Sequence, residues 1–295
     1  MIRFLRNPAS RLLVLAALVL LKWGAVGWAE EVEAVSSKVS PDYVRQRGPD
    51  GSFKPETFAV AKGGYWSGAI ADKTIQGDSS FPMITKIIGA ALARKNYLPT
   101  NDPEKTNLLI VIYWGTTVSP QRARDSSGYI VTQAANEELT RAKASHDPAA
   151  IEAANNALSG AFAMLHTQDA LRDRQNGKNA RMLGYDSWWE SASTLRGTVR
   201  EGDWNDLVEE LEDERYFIVL MAYDFQLLWK KKTPKLVWET RFSIKERGNE
   251  FDKALPAMAG YASKYFGEDS RGLRHREMPK AVITLGELKV LEVFP

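Results

Sequence analysis

The chain predicts an α+β fold: a mainly antiparallel sheet with helices packed on one face and a helical hairpin inserted between its strands. Three observations carry this. Two apolar runs of strand character, residues 216–229 and 235–244, stand side by side with a lysine-rich tip between them. Amphipathic helix patterns lie on either side of them, and residues 117–213 show helix signals and no strand signal.

Residues 1–29 come first. Arg3, Arg6 and Arg11 precede an apolar run from Leu12 to Leu21, and Gly27 and Ala29 follow at signal-peptidase spacing. This predicts a secretory signal cleaved near Ala29. The alternative is a retained membrane anchor, but the run before Lys22 falls short of the roughly 20 residues that span a bilayer. Residues 30–54 are polar, carry Pro41 and Pro49, and read as a lead-in with little order before Asp42.

The stretch "ETFAVA" predicts a short strand around Phe58 to Ala61. "SSFPMITKIIGAALARKNYLP" is a serine-capped helix with Pro82 in its first turn and a stripe of Ile84, Ile87, Ile88, Ala91 and Leu92. "NLLIVIYWGTT" is too short for a helix, is rich in β-branched residues, and reads as a buried strand ending at Gly115.

In the helical stretch, Asp147 caps a helix with Pro148 at its first position, an inward line of Ile151, Leu158, Phe162 and Leu165, and Gly177 as its stop. "VTQAANEELTRAKA" upstream supplies the other arm of a hairpin. "GDWNDLVEELEDE" adds a short helix capped by Asp203.

Between Lys235 and Ile244 the pattern alternates, with Leu236, Trp238, Thr240, Phe242 and Ile244 on a packed side and Val237, Glu239, Arg241 and Ser243 on a wet one. Tyr216 to Trp229 is apolar on both sides and reads as a more central strand. "KKKTPK" turns the hairpin, and Lys230, Lys231 and Lys232 are a solvated tip. Trp114, Trp229 and Trp238 fall in strands, where core packing explains them. A helix with Phe251, Leu255, Met258, Ala262 and Tyr265 or Phe266 inward follows, ending at Gly267, and Pro256 predicts a kink or a late start. "EDSRGLRHREMP" reads as a loop and "KAVITLGELKVLEVF" as one strand or two. The platform thus comprises 55–116 and 214–295, and the insertion 117–213.

The run "ETFAVA", the helix ending "ALARKNYLP", the strand "NLLIVIYWGTT" and "KLVWETRFSI" before an amphipathic helix resemble the bacterial family called domain of unknown function 4136. The resemblance covers about half of the mature chain. It implies an exported envelope protein with no established activity, and it carries over no catalytic residue. This chain departs from the family in lacking a lipoprotein cysteine and in carrying the long helical insertion.

Charge and composition exclude several classes. Cleavage removes Arg3, Arg6, Arg11 and Lys22 and no acid, so 39 basic against 37 acidic residues becomes 35 against 37. The mature chain is about neutral, with no excess of cations for a nucleic-acid partner. It has no cysteine, hence no disulfide, thiolate nucleophile or thiolate metal site. His146, His166 and His275 have no second histidine at ligand spacing, so neither a metal nor a cofactor is expected. No nucleophile elbow, P-loop, dinucleotide fingerprint or zinc-protease motif occurs.

The most unusual stretch is "LGYDSWWESAS". Tyr185, Trp188 and Trp189 there are the candidate partner-binding residues, for an envelope protein or a glycan, because indole faces stack on sugars and flat ligands. The competing hydrolase reading takes Asp186, Glu190 and His166 as acid and base, with Asp169 three residues beyond His166 as its orienter. A same-helix pair of carboxylates points one way, which disfavours the reading. The sequence therefore reads as an exported, non-catalytic periplasmic or extracellular protein with no membrane span in its mature part. Intact-mass measurement of the exported form should place the mature N-terminus near Glu30; a chain that keeps Met1 and stays with the membrane after a high-salt wash would identify an anchor.

Overall fold

Among residues 32–66, 75, 77–194 and 201–277, which the computed structural model describes, seven strands share one sheet. They are β1 (Val32–Val39), β2 (Glu56–Trp66), β3 (Tyr97–Pro99), β4 (Leu108–Thr116), β5 (Arg215–Asp224), β6 (Leu236–Lys245) and β7 (Arg274–Glu277), in the order β3-β2-β4-β5-β6-β1-β7. β2 runs parallel to β3 and β4, and the other pairings are antiparallel. The helices are α1 (Phe81–Ala93), α2 (Ser127–Ser145), α3 (Pro148–Leu183), α4 (Asp186–Thr194), α5 (Glu201–Glu212), α6 (Phe225–Lys231) and α7 (Phe251–Ala262). The signal pattern and "KAVITLGELKVLEVF" lie outside the described residues.

The fold is α+β, and each face of the sheet has its own helical cover. On the first face Ile84, Ile88 and Leu92 of α1 and Leu255 and Met258 of α7 meet Ile112, Trp114, Ile218 and Phe242 in one buried cluster. On the second, Ala180 and Leu183 of α3 and Leu207 and Leu211 of α5 cover Phe217 and Val219. The far end of the α2–α3 hairpin has a small core of its own around Leu139, Ala142 and Ala154. Asn179 pins the near end, its Nδ2 donating to Val118 O at 2.9 Å and Leu211 O at 2.8 Å.

Helix α3 begins as its sequence directs, with Asp147 Oδ1 accepting from Ala149 N at 3.0 Å and Pro148 at the first position. It does not stop at Gly177. It runs to Leu183, where Gly184 at φ 84° turns the chain out in a left-handed conformation. Gly177 lies inside the helix against Trp189, where a Cβ would stand 3.4 Å from Nε1, an ordinary contact. Nor is Phe162 inward; it is 42% exposed, and Ala154 and Ala161 take the buried positions. Small side chains suit a narrow two-helix contact better than a ring. Helix α5 starts at Glu201, so Asp203 lies inside it and is not its cap.

The lead-in departs from expectation. Val32–Val39 is strand β1, paired with β6 from Glu33↔Ile244 to Val39↔Trp238. Its order comes from a partner distant in sequence, which no local pattern reveals. Likewise β7 arises in the segment read as a loop, by pairing with Val32 to Val35. The strand around Phe58 to Ala61 extends to Trp66 through pairing with β4.

The run Tyr216 to Trp229 divides at Asp224, whose Oδ1 accepts from Leu227 N at 2.9 Å and starts α6. Trp229 is thus helical, 37% exposed and stacked on Phe225, not a core strand residue. Lys230 and Lys231 end this helix, where cations offset the terminal carbonyls. Helix α7 starts at Phe251 and contains Pro256, with Phe251, Leu255, Met258 and Ala262 buried as the stripe implied.

On β6, Trp238, Thr240, Phe242 and Ile244 are buried, but Leu236 at the strand start is 36% exposed. The side expected to be wet is partly covered: Val237 and Ser243 are buried. Trp238 stacks on Phe266 at 6.0 Å and 12°. Trp238→Ala should therefore cost about 3–5 kcal/mol in denaturant melts, and Leu236→Ala well under 1 kcal/mol, as for an exposed position. Equal losses would show the strand to be out of register.

Candidate functional site

Where Gly184 turns the chain out of α3, Tyr185 is driven under the sheet edge and buried. Its hydroxyl donates to Glu210 Oε2 at 2.6 Å, from α5. His275 of β7 places Nε2 3.2 Å from the same oxygen, and its ring meets that of Tyr185 edge-on at 6.3 Å. Arg215, fully buried on β5, donates from Nε to Ser243 Oγ at 3.1 Å. Two segments distant in sequence, at Tyr185 and His275, thus converge on the Glu210 carboxylate.

The electrostatics follow from this packing. Burial pushes the Tyr185 hydroxyl well above its ordinary value, with the charge of Arg215 opposing and that of Glu210 adding. Burial also pushes the Glu210 carboxyl up, but hydrogen bonds from His275 and Tyr185 and the charges of His275 and Arg215 outweigh it. The net pKa of Glu210 is lowered.

His275 also faces a cleft of about 750 Å³ bounded by β1, the first turns of α4 and residues 269–275. Trp188, 44% exposed, stands over it, and Lys38, Ser187, Ser191 and Leu273 line it as well. Lys38 is held by an ion pair to Asp186 at 2.7 Å. That pair steadies the cation at the rim and lowers the Asp186 pKa, burial opposing and the Lys38 hydrogen bond and charge prevailing.

The residues singled out in the sequence separate. Tyr185 is interior and spent on Glu210. Trp189 is half-buried, stacks on Trp204 at 5.3 Å and packs with the α3–α5 cluster, so it docks the insertion. Of the three aromatics, Trp188 alone reaches the cleft. Asp186 is engaged by Lys38, Glu190 is exposed on α4, and His166 is exposed on α3, where its neighbour Asp169 pairs with Arg172 at 3.2 Å. None of Asp186, Glu190 and His166 lines the cleft.

Sequence reasoning weighed His275 only as a metal ligand and passed over Glu210 and Arg215. The only signal for His275 was the alternation of Leu273, His275 and Glu277 with Arg274 and Arg276, a strand period inside an apparently polar loop. Among the described residues no group of three or more His, Asp or Glu side chains could hold a metal, and no helix is long and apolar enough to cross a membrane.

No protein-family model matches the chain, and no curated protein matches it. Among solved structures it is similar to a PDZ domain protein from Parabacteroides distasonis ATCC 8503, at 11% identity and a TM-score of 0.35. The match takes in 90% of this chain and 42% of that one, so it spans less than half of that protein. A likeness this slight carries no functional argument.

Glu210 makes the pH dependence testable. A carboxyl whose folded pKa lies below its ordinary 4.5 contributes stability that is full above that pH and lost as the pH falls through the lower folded value. Glu210→Gln should cost about 1.5–3 kcal/mol near neutrality, the range for hydrogen bonds to a charged group. In denaturant melts the difference from wild type should shrink well below pH 4.5. A difference independent of pH would remove the ionised carboxylate from the network.

Proposed function

We propose that this is an exported, non-catalytic binding protein of the cell envelope, and that the Trp188 cleft takes an envelope glycan. The exposed indole over a polar cleft carries the reading. A sugar ring presents an apolar face to an aromatic plane and hydroxyls at its edge, and Ser187, Ser191, Lys38 and His275 surround Trp188 with donors and acceptors of that kind. The basic, apolar and small-residue order of residues 1–29 supports export, and the resemblance to an exported family points to the same compartment.

The hydrolase alternative loses support because its three groups do not meet. Glycoside hydrolysis needs two carboxyl groups across one bond. Asp186 is neutralised by Lys38, and neither Glu190 nor His166 lines the cleft.

Trp188→Ala should leave the thermal melt within about 2–4 °C of wild type, since truncating an exposed side chain costs little. It should abolish retention on purified peptidoglycan and capture of soluble glycan fragments. Trp189→Ala should do the reverse, lowering the melt while retention persists in the folded fraction. If wild type and Trp188→Ala are retained alike, the cleft is not the binding surface.

A further inference from the structure

A second cleft, of about 830 Å³, lies between residues 43–53 and 264–274, and Trp188 takes no part in it. Five cationic side chains line it, Arg45, Arg47, Lys264, Arg271 and Arg274, against the two carboxylates of Glu268 and Asp269. The acids are already engaged. Glu268 is shared by Arg47 and Lys95 at 3.1 Å each, and Asp269 Oδ1 accepts from Arg271 N at 2.6 Å.

Arg45 is the unusual member. It is only 6% exposed, and its guanidinium lies over the rings of Phe53 at 4.3 Å and Tyr97 at 4.0 Å. Nη2 donates to Lys54 O at 3.2 Å, while Nε and Nη1 are buried without a hydrogen-bond partner. The carboxylate beside it, Glu56, is 4.0 Å from Nε and accepts instead from Tyr43 at 2.6 Å. A buried guanidinium normally has its donors satisfied, because each orphaned N–H forfeits its hydration.

At the rim the cations lack an anionic partner, although Lys264 lies over the Tyr261 ring at 5.1 Å. Lys264, Arg271 and Arg274 are exposed and make no ion pair among the described residues. Arg274 uses Nε on Ser270 O at 2.7 Å, leaving Nη1 and Nη2 for another acceptor.

We infer that this cleft binds a phosphate-bearing anion. Planar guanidinium forks match the several oxygens of a phosphate, and a doubly charged group answers more of the surplus than one carboxylate does. Arg45, held in place by its two rings, supplies a fixed cation at the floor, and Arg271 and Arg274 supply adjustable donors at the rim.

The test is titration of the full mature protein with pyrophosphate by calorimetry, beside flotation with phosphatidic acid vesicles, whose headgroup is a phosphomonoester, and with neutral phosphatidylcholine vesicles. Wild type should bind pyrophosphate or the anionic vesicles and not the neutral ones. Pyrophosphate binding alone assigns a soluble phosphate or pyrophosphate group, and vesicle binding alone assigns a lipid headgroup. Arg271→Ala/Arg274→Ala, which alters only exposed side chains, should weaken binding by about tenfold or more, two charge-assisted contacts being lost. Trp188→Ala should bind as wild type does. Failure of wild type to bind either probe overturns the proposal, as does equal binding by the double variant or a preference for citrate over pyrophosphate.

Discussion

Strand β5 has no solvent face over most of its length, and the rest of the architecture answers to that constraint. Tyr216, Ile218, Leu220 and Ala222 enter the core beneath α1 and α7, while Arg215, Phe217 and Val219 point the other way and are equally buried. An apolar side chain taken out of water is worth about 1.5–3 kcal/mol. A single helical layer would forfeit that gain on one face. The insertion is therefore structural before it is anything else, since its α3 and α5 ends close the second face of the platform.

Apolar cover attracts but does not orient, and the polar contacts decide how the insertion sits. Asn179 satisfies one carbonyl just beyond β4 and one in the last turn of α5, and Asn176 Nδ2 donates to Glu212 Oε1 at 3.0 Å. Arg215 adds a stricter demand, because a fully buried cation needs fixed acceptors and a neighbouring negative charge. Ser243 answers from the sheet and Glu210 from α5. Tyr185 and His275 then share Glu210, which ties the insertion to β7 as well. The free part of the hairpin, with its small core of alanine and leucine, is under no such control.

This arrangement puts both clefts at the β1 end of the sheet. Val39 and Asp269 line each of them, so the Trp188 cleft and the cationic cleft share one strand end and the segment that follows α7. One contains an exposed indole among hydroxyls, the other a stacked guanidinium among cations. Each owes its chemistry to residues brought together only when β1 joins the sheet.

Much of the fold was legible because it is written in local periods. The stripe of α1, the cap of α3 at Asp147, the two-sided burial of β5 and the alternation from Trp238 to Ile244 each concern residues within a few positions of one another, where steric pattern and side-chain direction suffice. Trp188 was legible for the same reason, as a large aromatic in a polar setting. The sequence by itself thus determined the α+β class and the helical character of the stretch that holds α2 to α5. Tertiary structure alone decided that Val32–Val39 is a strand, that Trp189 docks while Trp188 is exposed, and that His275 and Tyr185 share the Glu210 carboxylate. The physical reason is common to all three: a sheet edge, a docking face and a buried carboxylate get their partners from across the chain, and no window of sequence contains both sides of such a contact.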